Sequence, residues 1–197
     1  MRIAVGICQL IVTIVFRFFF RLGRKVVCHH NGIALPKRSQ PVLFVANHVH
    51  HLDPPAIFSS LPLPLLFQTA PIKFLSWWRY FWSPLLPIQL LTGCFPTHGP
   101  GHSGIDGMVY YATHGYRTFI FPHGKREKKQ KPGEQPYRGV RLFLDRVPNT
   151  QIILVKIAWE QRTWRRLRPR FWLTIAEAPS GAQSMSPSEL MDEVAKL

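Results

Sequence analysis

The sequence predicts an α/β fold: a mixed, mostly parallel central sheet flanked by helices, with an N-terminal apolar membrane-associating helix. Short apolar runs bounded by turn residues, such as PVLFVAN at 41–47, alternate along the chain with stretches of helical periodicity. A length of 197 residues suits one domain, and a hydrophobic content of 46% supplies a sizeable core. There is no internal repeat that would indicate a solenoid or a propeller.

The first predicted element is the apolar opening, MRIAVGICQLIVTIVFRFFFRLGRK. Residues 3–16 carry no charge, Arg17 interrupts the apolar run, and a basic cluster closes it at 21–25. The run is short and broken for a spanning helix, which needs about 20 apolar residues. We expect residues 1–24 to lie in the membrane interface, monotopic or peripheral on the cytoplasmic face, ahead of an α/β domain at 25–197. A buried core helix and a true span are the alternatives.

The next elements follow from short apolar runs and their flanking turn residues. We expect strands at 41–47, 65–70 and 91–96, a proline-led helix at 54–61 and an aromatic helix at 73–88. The aromatic helix holds more Trp, Tyr and Phe than one helix face buries, so part of it is expected at the surface or at lipid.

The second half of the chain has clearer boundaries. Helices are predicted at 103–115, 139–147 and 186–197, and strands at 116–122, 151–159 and 170–178. Gly115 stands where a left-handed C-terminal residue ends a helix. Ser186 followed by Pro187 is typical of a helix start. The stretch between 124 and 139 is predicted to be a strongly basic loop.

Composition limits the partners. The chain has 25 Lys and Arg against 10 Asp and Glu, a formal net charge of +15, which predicts attraction to anionic partners. Eight basic residues at 125–146, with aromatic residues nearby, leave a nucleic-acid-binding protein as an alternative. The apolar N-terminus argues against that alternative, so no nucleic-acid partner is expected. The three cysteines form no CxxC pair, which disfavours a disulfide framework and a structural zinc site.

The stretch NHVHHLD at 47–53 carries the candidate chemistry, because it follows a buried strand and precedes a helix. Three interpretations are open. His48 and His50 have the spacing of some zinc ligands, but no diagnostic downstream ligands follow. His48 and Asp53 can form a pair across the turn, with the carboxylate fixing the imidazole tautomer so that the other ring nitrogen takes a proton from a hydroxyl. Asp53 can also be only an N-cap.

NHVHHLDPP resembles the N-H-x-x-x-x-D block of the glycerolipid acyltransferase superfamily, whose best-known members are 1-acylglycerol-3-phosphate acyltransferases. The later blocks fall in the family's order over residues 25–175. GCFPTH (93–98) is similar to G-x-x-F-x-x-R, FPHGKR (121–126) to F-P-E-G-T-R, PYRG (136–139) to F-K-x-G, and ILVKI (153–157) to V-P-V-x-I. The first block is specific, and the order of the others supports it.

The resemblance implies a membrane-associated O-acyltransferase that moves a fatty acyl group from acyl-CoA or acyl-carrier protein to a lipid hydroxyl. His48 is then the general base and Asp53 orients it, with no metal and no cofactor beyond the co-substrate. The partners are membrane lipids and the acyl donor. The alternative is a lipid-binding relative with impaired catalysis. The residues expected to bind acceptor or donor are Asn47, Phe95, His98, His123, Gly124, Lys125, Arg126 and Arg138.

The chain departs from the family pattern in its presumed acceptor pocket. His98 replaces the arginine of the second block, His123 replaces the glutamate of F-P-E-G, and Lys125 replaces the following threonine. A histidine does not offer the planar, bidentate fork with which arginine holds a phosphate. We therefore expect an acceptor other than lysophosphatidate.

Overall fold

The computed structural model describes residues 2–23, 25–31, 33, 40–50, 53–76, 93–99, 102–160 and 170–197. The helices within these ranges are α1 (Arg2–Gly23), α2 (Asp53–Ser60), α3 (Leu63–Thr69), α4 (Gly104–Thr113), α5 (Gly139–Arg146) and α6 (Pro187–Lys196). The strands are β1 (Lys25–Asn31), β2 (Val42–Ala46), β3 (Ile72–Ser76), β4 (Cys94–Pro96), β5 (His98–Gly99), β6 (His102–Ser103), β7 (Arg117–Ile120), β8 (Gln151–Trp159) and β9 (Arg170–Glu177). Two short 3-10 helices lie at Glu127–Lys129 and Ala182–Ser184.

Seven strands form the central sheet in the order β1-β9-β8-β2-β7-β3-β4. All neighbouring pairs are parallel except β8 and β9, which are antiparallel. The fold class predicted from the sequence, a mixed and mostly parallel sheet flanked by helices, is confirmed. The carboxyl ends of β2, β7 and β8 therefore meet at one edge of the sheet, which is the edge where α/β proteins place ligand sites.

The sheet is covered on both faces. All five residues of β2 are buried, as expected for a central strand that helices enclose on both sides. One face packs α2 and α3 against a cluster that includes Phe44, Phe74 and Ile153. The other face packs α4, α5 and α6 against a cluster that includes Leu43 and Met108.

Helix α1 lies against α2 on the first face and is held by polar side chains. Gln9, which is 2% exposed, donates from its amide nitrogen to the Ile72 carbonyl (2.7 Å) and accepts from the Ile72 N–H (2.9 Å). Arg17 donates to the carbonyl of Leu61 at 3.2 Å. Within the residues that the structure describes, no helix is both long and apolar enough to cross a membrane. The boundary predicted at residue 24 stays a prediction.

Two predicted elements differ from the structure. Residues 65–70 are not a strand: residues 65–69 belong to α3 and Ala70 is its C-cap. A proline in the first turn and the buried Leu65, Leu66 and Thr69 fit helical spacing. Residues 72–76 are not helical: they form β3, the strand between β7 and β4. The rest of the expected aromatic helix lies outside the described residues.

Candidate active site

His48 and Asp53 form a pair at the carboxyl edge of the sheet. His48 lies in the turn after β2, and Asp53 is the first residue of α2. The His48 Nδ1 and Asp53 Oδ2 atoms are 2.8 Å apart, and the Asp53 side chain is fully buried whereas that of His48 is 20% exposed. Because the carboxylate only accepts, Nδ1 carries the proton and Nε2 keeps its lone pair in the neutral ring. The five-residue spacing predicts that the two side chains meet across the turn, and in the structure they are in contact.

The buried carboxylate of Asp53 is held by further donors. Its Oδ2 atom also accepts from the backbone N–H groups of Val49 (2.7 Å) and His50 (2.9 Å). Its Oδ1 atom accepts from the indole Nε1 of Trp159 at 2.7 Å. The backbone donors lie in the turn before α2, whereas an N-cap accepts from N–H groups inside its helix, so these contacts tie Asp53 to the turn and to His48.

Aromatic rings flank the pair. The His48 ring stacks on Phe121 with centroids 4.4 Å apart and an angle of 27° between the planes. The His50 ring lies 4.9 Å from that of Trp159. Phe121 follows β7, so the two strands on either side of β2 supply the aromatic walls of the site.

Asn47 joins the turn after β2 to β8. Its side-chain oxygen accepts from the Ile157 N–H (2.7 Å), and its amide nitrogen donates to the Ile157 carbonyl (2.9 Å) and to Glu127 Oε1 (2.7 Å). The Glu127 N–H donates to the His48 carbonyl at 2.7 Å. Asn47 is therefore engaged in positioning the turn, and its contact with a substrate stays a prediction.

The basic loop predicted at 124–139 lies beside the pair and is internally tied. Gly124 has φ +60° and ends a turn in which its N–H donates to the Phe121 carbonyl at 2.8 Å. Lys125 pairs with Glu134 at 2.5 Å. This hydrogen bond raises the pKa of Lys125 and lowers the pKa of Glu134.

His123 is a predicted pocket residue with a buried ring nitrogen that makes no hydrogen bond to the described residues. Its Nδ1 atom is enclosed and has no hydrogen-bond partner among the described residues. The hydrogen bond from Lys125 is the largest cause of the lowered pKa of Glu134, and an electrostatic contribution from His123 adds to it, so His123 lies near Glu134. The loop thus brings His123, Gly124 and Lys125 together after β7.

The other predicted binding residues lie at varying distances from the pair in the fold. Arg126 precedes the 3-10 helix whose first residue, Glu127, contacts the turn after β2. Phe95 is buried on β4 against Tyr111, and two strands, β7 and β3, separate β4 from β2. His98 begins β5, and exposed Arg138 precedes α5. The substrate contacts predicted for these residues stay predictions.

Trp159 and Glu127 are site residues that the sequence did not indicate. Trp159 ends β8, a strand parallel to β2, so the rule that carboxyl ends share an edge is the signal that could have found it. Glu127 sits in a basic loop, where its single negative charge gives no comparable signal. Among the described residues, no three His, Cys, Asp or Glu side chains lie close enough together to hold a metal ion.

The fold is similar to that of a solved acyltransferase structure. The 1-acyl-sn-glycerophosphate (LPA) acyltransferase PlsC from Thermotoga maritima matches with a TM-score of 0.67 and 14% sequence identity, over 95% of this chain and 77% of that one. The two chains share a fold. No protein-family model matches the sequence, and no curated protein matches it either.

Proposed function

We propose that this protein is a membrane-associated O-acyltransferase that moves a fatty acyl group from acyl-CoA or acyl-carrier protein to a lipid hydroxyl. The observation that carries the proposal is the contact between His48 and the buried Asp53 at the sheet edge. A partly exposed imidazole whose Nδ1 is engaged, and whose Nε2 makes no hydrogen bond to the described residues, is the arrangement that a general base requires. The order of the sequence blocks and the fold shared with an acyltransferase support the same reaction class.

The proposed reaction is a direct transfer. His48 Nε2 takes the proton of the acceptor hydroxyl as its oxygen bonds to the thioester carbonyl carbon. The tetrahedral intermediate then collapses, the carbon–sulfur bond breaks, and the thiolate leaves and takes the proton from the imidazolium. Asp53 holds the ring orientation and balances the transient positive charge.

Membrane association is proposed from the outer face of α1. Among the side chains of that helix that the structure describes, six apolar ones are about half exposed or more and recur at helical spacing: Ile7, Ile11, Ile14, Val15, Phe18 and Leu22. Soluble surfaces seldom expose such a continuous stripe. A formal net charge of +15 adds attraction to an anionic bilayer surface.

The test is acyl transfer from a radiolabelled acyl-CoA by purified wild type and His48→Ala. The acceptors are lysophosphatidate, lysophosphatidylcholine and a glycolipid alcohol. His48→Ala should lower kcat about a hundredfold or more, because a lost general base costs that much. His114→Ala, an exposed histidine at the end of α4, is the matched control and should retain activity.

Two results would contradict the proposal. One is near-normal turnover by His48→Ala, and the other is loss of activity on exhaustive chelation with stoichiometric zinc in the purified protein. The acceptor panel separately tests the departures at His98, His123 and Lys125, since a tenfold preference for lysophosphatidate would show that they do not change the acceptor.

A further inference from the structure

The two oxygens of the Asp53 carboxylate have different partners. Oδ2 receives His48 and two backbone N–H groups, whereas the indole of Trp159 donates to Oδ1 at 2.7 Å. The Asp53 side chain is fully buried, so no water replaces a lost donor at its surface. A buried acceptor that loses its donor also loses the free energy that offset its desolvation.

The indole of Trp159 is fixed from three directions. Asn47 bonds to both backbone groups of Ile157, which holds β8 beside the catalytic turn two residues before Trp159. The indole packs edge-on against Phe171, with ring centroids 4.8 Å apart. The His50 ring also lies against it, with ring centroids 4.9 Å apart. A ring packed in this way presents its N–H in one direction, so the hydrogen bond to Asp53 is pre-organised.

We propose that Trp159 is a positioning residue of the active site, whose indole N–H fixes the plane of the Asp53 carboxylate so that Oδ2 stays on His48 Nδ1. The terminal torsion of an aspartate is soft, and a donor on each oxygen restricts it more than donors on one oxygen alone. The geometry of the pair is then set partly by a strand 106 positions away in sequence. The catalytic part of this proposal rests on the proposed acyl transfer, but the geometric part does not.

The test substitutes Trp159→Phe, which keeps an aromatic ring and removes the N–H donor. We expect kcat to fall about tenfold, the effect of one lost hydrogen bond to a charged group, with KM for both substrates within about twofold. In proton NMR, the low-field His48 Nδ1–H signal should move or broaden. Trp172→Phe on β9, a residue outside the contacts of Asp53, is the matched control and should leave kcat and the signal unchanged.

Each outcome decides one part of the proposal. An unchanged kcat together with an unchanged His48 signal in Trp159→Phe overturns it. If the wild type transfers no acyl group, the proposed function fails, and a moved His48 signal still supports the positioning role. If Trp159→Phe does not fold, a pH titration of the wild type by NMR replaces it. The indole N–H signal of Trp159 should then shift with the same midpoint as the His48 signal, and an indole signal that does not shift at that midpoint overturns the proposal.

Discussion

The side-chain amides of Asn47 and Gln9 each bond to the backbone N–H and C=O of one strand residue. Asn47 pairs with both backbone groups of Ile157, and Gln9 pairs with both backbone groups of Ile72. A neighbouring strand would make the same pair of bonds. The first amide joins the turn after β2 to β8, and the second docks α1 on the start of β3. Each satisfies backbone groups that would otherwise be buried without a partner.

The contact between Gln9 and Ile72 leaves no room for a side chain at Gly93. Gly93 has φ +83°, and a Cβ atom there would overlap the Gln9 amide nitrogen and the Ile72 carbonyl oxygen. Gly93→Ala should therefore destabilise the protein by on the order of 3 kcal/mol, combining left-handed strain with overpacking. The measurement is the free energy of unfolding from urea denaturation.

The matched control for this prediction is Gly133→Ala. Gly133 has φ +74°, but nothing lies within 4 Å of its hypothetical Cβ. Only the left-handed strain applies there, so the cost should be about 1 kcal/mol. Equal losses in the two variants would show that a Cβ atom at position 93 overlaps neither Gln9 nor the Ile72 carbonyl.

At the scale of elements, Asp106 joins the start of α4 to the end of α5. Its carboxylate accepts from Ser103 in a capping box and from Arg146 at 2.5 Å. The hydrogen bond from Ser103, followed by that from Arg146, lowers the pKa of Asp106 from 3.8 to about 2. Because the pKa is lower in the folded state, the stabilisation is fully present above about pH 4 and is lost as the pH falls towards 2.

Asp106→Asn should consequently be less stable than wild type at pH 7, and the difference should shrink between pH 4 and pH 2. Urea denaturation at several pH values measures it. Ser103→Ala removes the largest cause of the lowered pKa, so part of the same pH dependence should disappear in that variant. A stability difference between Asp106→Asn and wild type that stays constant down to pH 2 would contradict the assignment.

The elements that the sequence predicts correctly are those with local signals. Ser186 and Pro187 mark the start of α6, and a capping box forms there. The strand at 72–76 has no such signal, since its five residues lie between a proline and a run of aromatic residues. Its strand state depends on pairing with β7 and β4, contacts that no local pattern encodes.

The candidate site divides in the same way. The pair of His48 and Asp53 is five positions apart, and the turn between a buried strand and a helix brings them together, so the sequence predicts both. Asn47 and Glu127 meet across 80 positions, and Trp159 reaches Asp53 across 106. Such contacts follow from the order of strands in the sheet, which the sequence pattern leaves open.

At the scale of the whole molecule, the two sides of α1 have opposite roles. The inner side carries Gln9 and Thr13, both buried, and Arg17, which reaches Leu61. The outer side carries the exposed apolar stripe. Deleting the helix would remove both sides, so any loss of membrane binding would be mixed with loss of the Gln9 contact to β3.

Substituting only the outer side separates the two roles, and Ile11, Ile14 and Phe18 are the suitable positions because they are 57%, 59% and 63% exposed. Changing all three to Gln removes about 3 kcal/mol of apolar transfer free energy, so the partition coefficient onto anionic vesicles should fall roughly a hundredfold. Vesicle flotation measures this fall. Since exposed positions contribute little to folding, the free energy of unfolding should stay within about 1.5 kcal/mol of wild type.

The control is Tyr110→Gln with Leu142→Gln, exposed residues of α4 and α5 on the other face of the sheet, which should float as wild type does. Undiminished flotation of the triple variant would show that the stripe is not the membrane contact.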